Sequence, residues 1–515
     1  MSGPIVQKFN MLLLDPLSFS LFPFFFFIVL LVRWLFSTPP TTHKTLPPSP
    51  PRLPVLGNMH QLGIYPYRSL LCLARCYGPL MLLQLGRVRT LVVSSPDAAQ
   101  EIMKMHDLIF ANRPKMSLGK RLLYDYKDVS VAPYGEYWRQ MRSICVLHLL
   151  SNKRVQSFNT VRREEISLLI QKIEEFSSLS TSMDLSGMFM RLTNDVICRV
   201  AFGRKYSGDE RGKKFRRLLG EFVELLGGFN VGDYIPWLAW VEHVNGWSAK
   251  VERVAKEFDE FLDGVVEEHL DGGTGSIAKG DNEKDFVDVL LEIQRDGTLG
   301  FSIDRDSIKA LILDIFAGGT DTTYTVLEWA MTELLRHPKA MKELQNEVRG
   351  ITRGKEHITE DDLEKMHYLK AVIKETLRLH PPIPLLVPRE SSQDVDIMGY
   401  HIPAGTMVII NAWAIGRDPM SWDEPEEFRP ERFLNTNIDF KGHDFELIPF
   451  GAGRRGCPGI SFAMATNELV LANLVNKFDW ALPDGARVED LDMTECTGLT
   501  IHRKFPLLAV STPCF

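Results

Sequence analysis

The spacing of hydrophobic residues changes several times along this chain, and each change predicts a different element. An uncharged apolar run covers residues 17–32. Residues 80–94 alternate β-forming side chains around a Gly-Arg turn, which predicts a small β-hairpin. From there the spacing is mostly helical to residue 380, and a second β-rich patch covers residues 397–410. The pattern predicts a mainly helical protein with small β-sheets.

The longest helical pattern runs from Asp304 to Arg336 and would form a helix about 50 Å long, the width of a whole domain. Gly318 and Gly319 lie near its centre, where each glycine costs about 1 kcal/mol relative to alanine. Close packing against a neighbouring helix would explain the two glycines. It explains less well the acid and the hydroxyl that follow, Asp321 and Thr322, because such a pair can hold ordered water and transfer protons.

A second motif lies near the C-terminus, where residues 450–459 follow the spacing Phe-x-x-Gly-x-Arg-x-Cys-x-Gly. The thiolate of Cys457 can ligate iron. Glycines such as Gly451 allow the backbone to turn tightly and approach a flat cofactor closely. Arg455, two residues before the cysteine, can pair with a carboxylate. A loop of this composition would shield a sulfur and hold a haem.

Composition restricts the class of protein. The chain has 515 residues, of which 45% are hydrophobic and 24% charged, so it can bury a large core, and its length alone suggests two or more domains. A net charge of −7 does not favour a nucleic-acid partner. Its seven cysteines are scattered and odd in number, which argues against a disulfide framework and for a reducing, cytosolic environment.

The apolar run near the N-terminus predicts a membrane anchor. Extended to Phe36, it offers twenty helical residues, about 30 Å, which matches one hydrocarbon core. A cleaved signal peptide is the alternative, but no small-residue cleavage site follows. Arg33, Lys44 and Arg52 follow instead, and positive charge after a span favours a cytosolic location for the rest of the chain.

Two further segments bear on the membrane. Residues 47–58 are proline-rich and predict a stiff, extended connector. Residues 234–241 combine two tryptophans and a tyrosine with aliphatic residues, a composition that suits either a membrane interface or a buried core.

The cysteine loop and the glycine-broken helix together resemble the cytochrome P450s, and more narrowly the plant microsomal A-type enzymes of family 71. The resemblance runs from the proline segment near residue 47 to residues 506–508. It implies one mainly α domain with small β-sheets, the P450 fold, preceded by one N-terminal transmembrane helix, so the division expected from length alone is not adopted. The implied organisation is an anchor at residues 1–36, a hinge at 37–58 and a haem-thiolate catalytic domain at 59–515.

The resemblance assigns roles to the motif residues. Cys457 would be the metal ligand, and Asp321 and Thr322 the catalytic acid and hydroxyl of the oxygen-binding groove. The remaining residues would contact the haem or its propionates, or form a structural network near the haem loop. The haem set is Phe450, Gly451, Trp138, Arg142, Arg389 and Arg455, and the structural set is Glu375, Arg378 and Arg432.

Four regions would face the substrate by the same resemblance, and their apolar character predicts a small hydrophobic substrate. Asp314 and Thr500 are the polar members expected to orient it, although any member of the set could be plain core. The set is Met116, Leu122, Asp314, Phe316, Ala317, Gly318, Ile383, Leu385, Leu386, Val387, Leu499 and Thr500.

The implied activity is a haem-thiolate monooxygenase that contains haem b (iron protoporphyrin IX) and consumes O₂. No nucleotide-binding fingerprint follows a strand, so electrons from NADPH would come through NADPH–cytochrome P450 reductase on the same endoplasmic reticulum membrane. The chain would be single-pass there, in contact with lipid, with its catalytic domain in the cytosol. Hydroxylation or epoxidation of a terpenoid, coumarin, indole or phenylpropanoid is expected. The alternatives are a P450-type dehydratase or isomerase acting on aldoximes and a non-enzymatic haem binder.

Overall fold

Helices make up most of the molecule, as the apolar spacing predicts. The computed structural model describes residues 23–31, 45–206, 210–271, 284–296, 302–353, 355 and 358–514. The helices in chain order are α1 (residues 23–31), α2 (Pro66–Tyr77), α3 (Pro96–Gln100), α4 (Ser117–Leu122), α5 (Glu136–Ile144), α6 (Asn152–Ser157), α7 (Asn159–Ser178), α8 (Leu185–Phe202), α9 (Glu210–Leu226), α10 (Val231–Tyr234), α11 (Val241–Val244), α12 (Trp247–Asp271), α13 (Phe286–Asp296), α14 (Arg305–Arg336), α15 (Pro338–Thr352), α16 (Glu360–Leu363), α17 (His367–Leu379), α18 (Ala412–Ile415) and α19 (Ile460–Lys477).

The strands are short and form three small sheets. The predicted hairpin is confirmed, since β1 and β2 pair antiparallel with Leu82 opposite Leu91. The sheets have the orders β1-β2-β7-β4, β3-β9-β8 and β5-β6. The strands are β1 (Leu80–Leu85), β2 (Val88–Val93), β3 (Met183–Asp184), β4 (Arg389–Glu390), β5 (Val395–Ile397), β6 (Tyr400–Ile402), β7 (Met407–Ile410), β8 (Phe478–Ala481) and β9 (Leu508–Pro513).

The long central helix α14 is confirmed and begins one residue after its predicted start. Asp304 caps it, because its carboxylate accepts a hydrogen bond from the Ser307 N–H at 2.8 Å. Both faces of α14 are largely buried, since it packs against α8, α13, α17 and α19. Its apolar residues are therefore not confined to one stripe, as is expected for a helix inside the core of a large domain.

The two central glycines of α14 have different surroundings. A Cβ at Gly319 would lie 2.5 Å from Cδ1 of Ile197 on α8, so glycine is needed there for helix packing. A Cβ at Gly318 would meet no atom within 4 Å. Packing therefore explains Gly319 but not Gly318, which lies on a face of α14 that opens onto interior space.

The predictions for the N-terminus concern residues that lie mainly outside the described ranges. Of the predicted anchor, only residues 23–31 are described, and they form a helix whose side chains are mostly exposed. Within the described ranges, no helix combines the length and apolar character needed to cross a bilayer. The predicted loop at 271–284 also lies outside them except for its two ends.

The proline-rich segment lies along the first sheet. The Leu82 N–H donates to the Pro48 carbonyl at 2.9 Å, and the Asn58 N–H donates to the Gln84 carbonyl at 2.6 Å. The Gln84 N–H in turn donates to Oδ1 of Asn58 at 2.8 Å. This connector is therefore hydrogen-bonded to β1 along its length.

Candidate active site

Cys457 lies in a tight loop just before α19. Its N–H donates to the Phe450 carbonyl at 2.9 Å, and its sulfur accepts from the Gly459 N–H at 3.3 Å. Gly453 has φ +67°, and a Cβ there would lie 2.3 Å from the Met103 carbonyl oxygen. The loop can approach the segment after α3 this closely only with glycine at that position.

The Cys457 sulfur faces a space inside the molecule. The side chain is accessible to solvent, yet burial raises the pKa of its thiol, while the Gly459 N–H and Arg142 lower it. Nearby Cys145 is buried in the core, and burial raises its thiol pKa to about 12. Of these two thiols, Cys457 is therefore the one placed to ligate a metal.

Two of the predicted haem-side residues, Arg142 and Arg389, reach this loop from other elements. Arg142 on α5 donates to the Gly456 carbonyl at 2.5 Å, and Arg389 on β4 donates to the Ala452 carbonyl at 2.7 Å. Their guanidinium groups therefore tie α5 and the first sheet to the cysteine loop.

Arg455 and Trp138 form one buried pair. The Arg455 guanidinium lies 4.1 Å from the centre of the Trp138 ring, and both residues are buried. The Nη1 of Arg455 and the Nε1 of Trp138 both donate to the Val129 carbonyl, at 3.2 Å and 3.0 Å. Arg455 also donates to the carbonyls of Ala111 and Ala132 at 2.7 Å and 2.5 Å.

A fourth arginine, Arg113, was missed by the sequence reasoning. It is only 5% exposed, and its Nη1 donates to the carbonyls of Val387 and Pro388 at 2.5 Å and 2.7 Å. Its Nε donates to the Ser130 carbonyl at 2.9 Å. The available signal was an arginine two residues after an apolar stretch at residues 108–111, a place where a cation needs partners.

These four arginines form a cationic cluster with little negative charge to balance it. Of these four arginines, only Arg389 makes an ion pair with a described residue, Asp107, at 3.4 Å. Burial, together with Arg389 and Arg142, lowers the pKa of Arg455 to about 9, with Asp128 opposing. Burial, Arg389 and Arg455 likewise lower the pKa of Arg113.

The residues present fit a haem. A buried cluster of guanidinium groups suits a dianion such as two propionates. Cys457 supplies a sulfur that faces the interior, and Gly318 leaves room beside α14. When bound, the haem iron supplies the oxygen and electron-transfer chemistry, with its potential and reactivity set by the thiolate.

The predicted acid and hydroxyl lie at the weak point of α14. The Thr322 hydroxyl donates to the Gly318 carbonyl at 2.6 Å, a bond that competes with the helix ladder. The Asp321 carboxylate accepts a hydrogen bond from the Thr500 hydroxyl. Burial raises the pKa of Asp321, while Thr500 and His502 lower it. The Asp321 carboxyl is thus buried beside Thr322 and hydrogen-bonded to Thr500.

The predicted substrate residues divide by burial. Leu122, Phe316 and Thr500 are 3%, 1% and 4% exposed. Phe316 stacks on Phe202 with ring centres 5.8 Å apart, within an aromatic cluster. Phe316 therefore packs in the core, where α14 contacts α8.

Other members of the set are partly exposed and lie on several elements. Leu386 has φ +51° and its Cδ1 lies 3.8 Å from where a Cβ on Gly451 would be, so it borders the cysteine loop. The Leu499 backbone packs against Gly227, just after α9. The partly or fully exposed members are Met116, Asp314, Ala317, Gly318, Ile383, Leu385, Leu386, Val387 and Leu499.

The predicted structural network is fully paired. Arg378 makes two bonds to Glu375, from Nε at 2.7 Å and from Nη2 at 2.8 Å, and both residues are buried. Arg432 donates to the same carboxylate at 3.0 Å. The remaining Arg378 donors reach the carbonyls of Gly416, Pro425 and Glu427.

Known proteins of one family match this chain over most of its length. The family model described as Cytochrome P450 matches residues 47–509. Cytochrome P450 736A117 of Prunus mume is 62% identical over 98% of this chain and 97% of its own length. Norfluorocurarine oxidase of Strychnos is 54% identical over 96% and 98%. A zebra fish cytochrome P450 solved with progesterone has a TM-score of 0.74 at 27% identity, covering 87% of this chain and 99% of its own.

The chain therefore belongs to the cytochrome P450 family, whose members are haem-dependent monooxygenases that use O₂ and electrons from a reductase. Within that family it is a plant enzyme of the A type, similar to family 71, as the sequence motifs predicted. The mainly helical fold with small sheets is likewise confirmed.

Proposed function

We propose that this protein hydroxylates or epoxidises a small hydrophobic plant metabolite, using haem b, O₂ and electrons from NADPH delivered by NADPH–cytochrome P450 reductase. The observation that carries the proposal is the face of α14 at Gly318. Open space there lies one helical turn from an acid and a hydroxyl, Asp321 and Thr322.

In this proposal each group has a defined task. Cys457 ligates iron, and the cluster of Arg113, Arg142, Arg389 and Arg455 binds the propionates. Asp321 would hold and release a proton at its carboxylate, and the Thr322 hydroxyl would pass it towards the haem side of α14. The long buried helix excludes bulk water, so proton supply depends on these two side chains.

The substrate class follows from the chemistry of the exposed lining. Leu385, Leu386, Val387 and Leu499 are aliphatic and partly accessible, which suits a ligand bound mainly by apolar contact. The names of two matched proteins, norfluorocurarine oxidase and a P450 solved with progesterone, also refer to small organic molecules. A terpenoid, coumarin, indole or phenylpropanoid fits this description.

We also propose that residues 1–36 anchor the enzyme in the endoplasmic reticulum membrane as a single pass, with residues 37–58 as hinge and 59–515 as cytosolic catalytic domain. The uncharged run at residues 17–32 supports this. Trp237 and Trp240 support lipid contact by the body of the protein as well, because they are 57% and 60% exposed.

The test is turnover of a plant metabolite pool under ¹⁸O₂ with reductase and NADPH, followed by mass spectrometry. A product that carries the heavy label is expected. A new product that lacks the label and requires Cys457 would overturn the monooxygenase proposal in favour of dehydration or isomerisation.

A matched variant pair sharpens this test. Asp321→Asn keeps an oxygen that can accept from Thr500 but cannot supply a proton, so labelled product should form about 100-fold more slowly. Asp306→Asn, near the start of the same helix, is exposed and should leave the rate unchanged. Equal rates for wild type and Asp321→Asn would remove Asp321 from the proton pathway.

A further inference from the structure

Residues 128–131 form a loop between α14 and the arginine cluster. On one side, the loop is bound by Asp314 of α14: Oδ2 accepts from the Val129 N–H at 2.6 Å and from the Ser130 N–H at 3.1 Å. Hydrogen bonds to a carboxylate are the stronger kind, and two on one oxygen hold a loop firmly. The main-chain donors of this loop are thus directed at the central helix.

On its other side the same loop presents carbonyl oxygens to the haem-side residues. The Val129 carbonyl accepts from Trp138 and Arg455, and the Ser130 carbonyl accepts from Arg113. Val129 and Ser130 therefore each have their N–H bonded to α14 and their C=O bonded to a cation or an indole. A shift of the loop away from α14 would move the acceptors that orient both guanidinium groups.

Arg113 extends the connection further. Its Nη1 reaches the carbonyls of Val387 and Pro388, immediately before Arg389 on β4. A chain of hydrogen bonds thus runs from Asp314 through the loop to Arg113 and then to the strand that carries Arg389. Arg113 and Arg455 are thus linked to the Asp314 carboxylate through loop 128–131, and Arg389 is linked to it through Arg113 and β4.

We propose that Asp314 is a positioning residue, which holds loop 128–131 so that Arg113 and Arg455 are oriented to grip the cofactor. This differs from the expectation that Asp314 orients the substrate. The proposal rests on the proposed function, because it takes the arginine cluster as the propionate site.

The surroundings of Asp314 support this role. Asp128 begins the loop, is fully buried, and accepts from the Val131 N–H at 2.8 Å and from the Ser130 hydroxyl. Burial and Asp128 raise the pKa of Asp314 to about 8, with the Val129 and Ser130 donors opposing. Placing a second carboxyl beside a buried one costs free energy. In the described structure, the hydrogen bonds from the Val129 and Ser130 N–H groups to Asp314 offset part of that cost.

The test measures how fast haem leaves the ferric protein, by transfer to an excess of apomyoglobin. Asp314→Ala removes the acceptor of both loop N–H bonds and should speed transfer at least about tenfold. Asp314→Asn retains an acceptor oxygen and should restore transfer to within about threefold of wild type. Asp306→Ala is the matched control: it also contacts this region, through Lys127 at 3.3 Å, but touches no residue of loop 128–131, and should match wild type.

Two results would overturn the proposal. One is wild-type haem transfer in Asp314→Ala together with a raised KM for the substrate, which would make Asp314 a substrate contact. The other needs no variant: residue-resolved hydrogen exchange of wild type should show slow exchange at Val129 and Ser130, and exchange as fast as in exposed loops would rule out the bonds to Asp314. This second measurement also covers the case in which Asp314→Ala does not fold.

Failure of the proposed function would look different. Wild type would then bind no haem, or its ferrous carbon monoxide complex would lack the Soret band typical of thiolate ligation. If wild type shows that band and all three variants transfer haem at the wild-type rate, the proposed function stands and only the positioning role of Asp314 is refuted.

Discussion

Two groups of buried arginines in this protein have opposite charge balance. Arg378 and Arg432 meet the Glu375 carboxylate directly, and the other Arg378 donors reach carbonyls. The second group is the cluster of Arg113, Arg142, Arg389 and Arg455, whose hydrogen bonds go mostly to carbonyls. The only ion pair that these four arginines make with described residues is the contact of Arg389 with Asp107 at 3.4 Å.

The difference shows how a structural network can be told from a binding site. A buried charge is stable when paired, and Glu375 completes its network from within the chain. Carbonyls satisfy the hydrogen bonds of Arg113 and Arg455, and Asp128 offsets only part of their positive charge, since the pKa values of both arginines remain lowered. Such a cluster is suited to an anionic ligand, and the ligand proposed for it is the haem.

The largest effect should come from Cys457→Ser. The sulfur that faces the interior is lost, so thiolate ligation and monooxygenase activity should disappear entirely, while the Glu375 network and the fold stay intact. The ferrous carbon monoxide spectrum and far-ultraviolet circular dichroism measure these two outcomes. Activity equal to wild type would refute the assignment of Cys457.

Glu375→Ala should come next and should act on folding. It leaves Arg378 buried without its carboxylate, and breaking a buried pair in this way costs about 3–5 kcal/mol. Denaturant unfolding measures the loss. Glu136→Ala, which removes the exposed partner of Arg139, is the control and should cost less than about 1 kcal/mol. Equal costs would mean that burial does not distinguish the two pairs.

Arg113→Ala should weaken haem binding and have little effect on folding stability. The free energy of unfolding of the haem-free protein should change little, because removing one cation relieves repulsion from Arg389 and Arg455. Haem affinity should fall by about 1.5–3 kcal/mol, the usual value of a hydrogen bond to a charged group. Haem titration and denaturant unfolding separate the two, with exposed Arg139→Ala as control. A large loss of haem-free stability would place Arg113 with the structural group.

The smallest effect should be a pH dependence from Asp314. Its folded pKa of about 8 lies above the ordinary 3.8, so its contribution to stability is full below about 4 and is lost as the pH rises towards 8. Thermal unfolding midpoints should therefore fall by a few degrees over this range, and less so in Asp314→Asn. A decline of the same size in both proteins would assign it to other groups, such as Asp128.

Local patterns predicted much of this structure. The β1–β2 hairpin and α14 follow from side-chain alternation and from a capped apolar run, because both signals lie within short stretches of chain. The network around Glu375 could not be predicted from local spacing, because Arg432 lies more than fifty residues away from Glu375. Arg432 was assigned to the network by family resemblance. Arg113 gave no spacing signal, because its partners at Ser130, Val387 and Pro388 come from distant segments.

The sequence by itself determined the mainly helical fold, the family, and the thiol of Cys457 in its glycine-rich loop, because each depends on residues that are neighbours in the chain. Only the tertiary structure decided which glycine of α14 packs against Ile197 and which faces open space. It also placed Phe316 in the aromatic core and directed Asp314 towards the Val129 and Ser130 amides. The physical reason is that the environment of a side chain depends on segments far apart in sequence, whose approach is set by packing of the whole core.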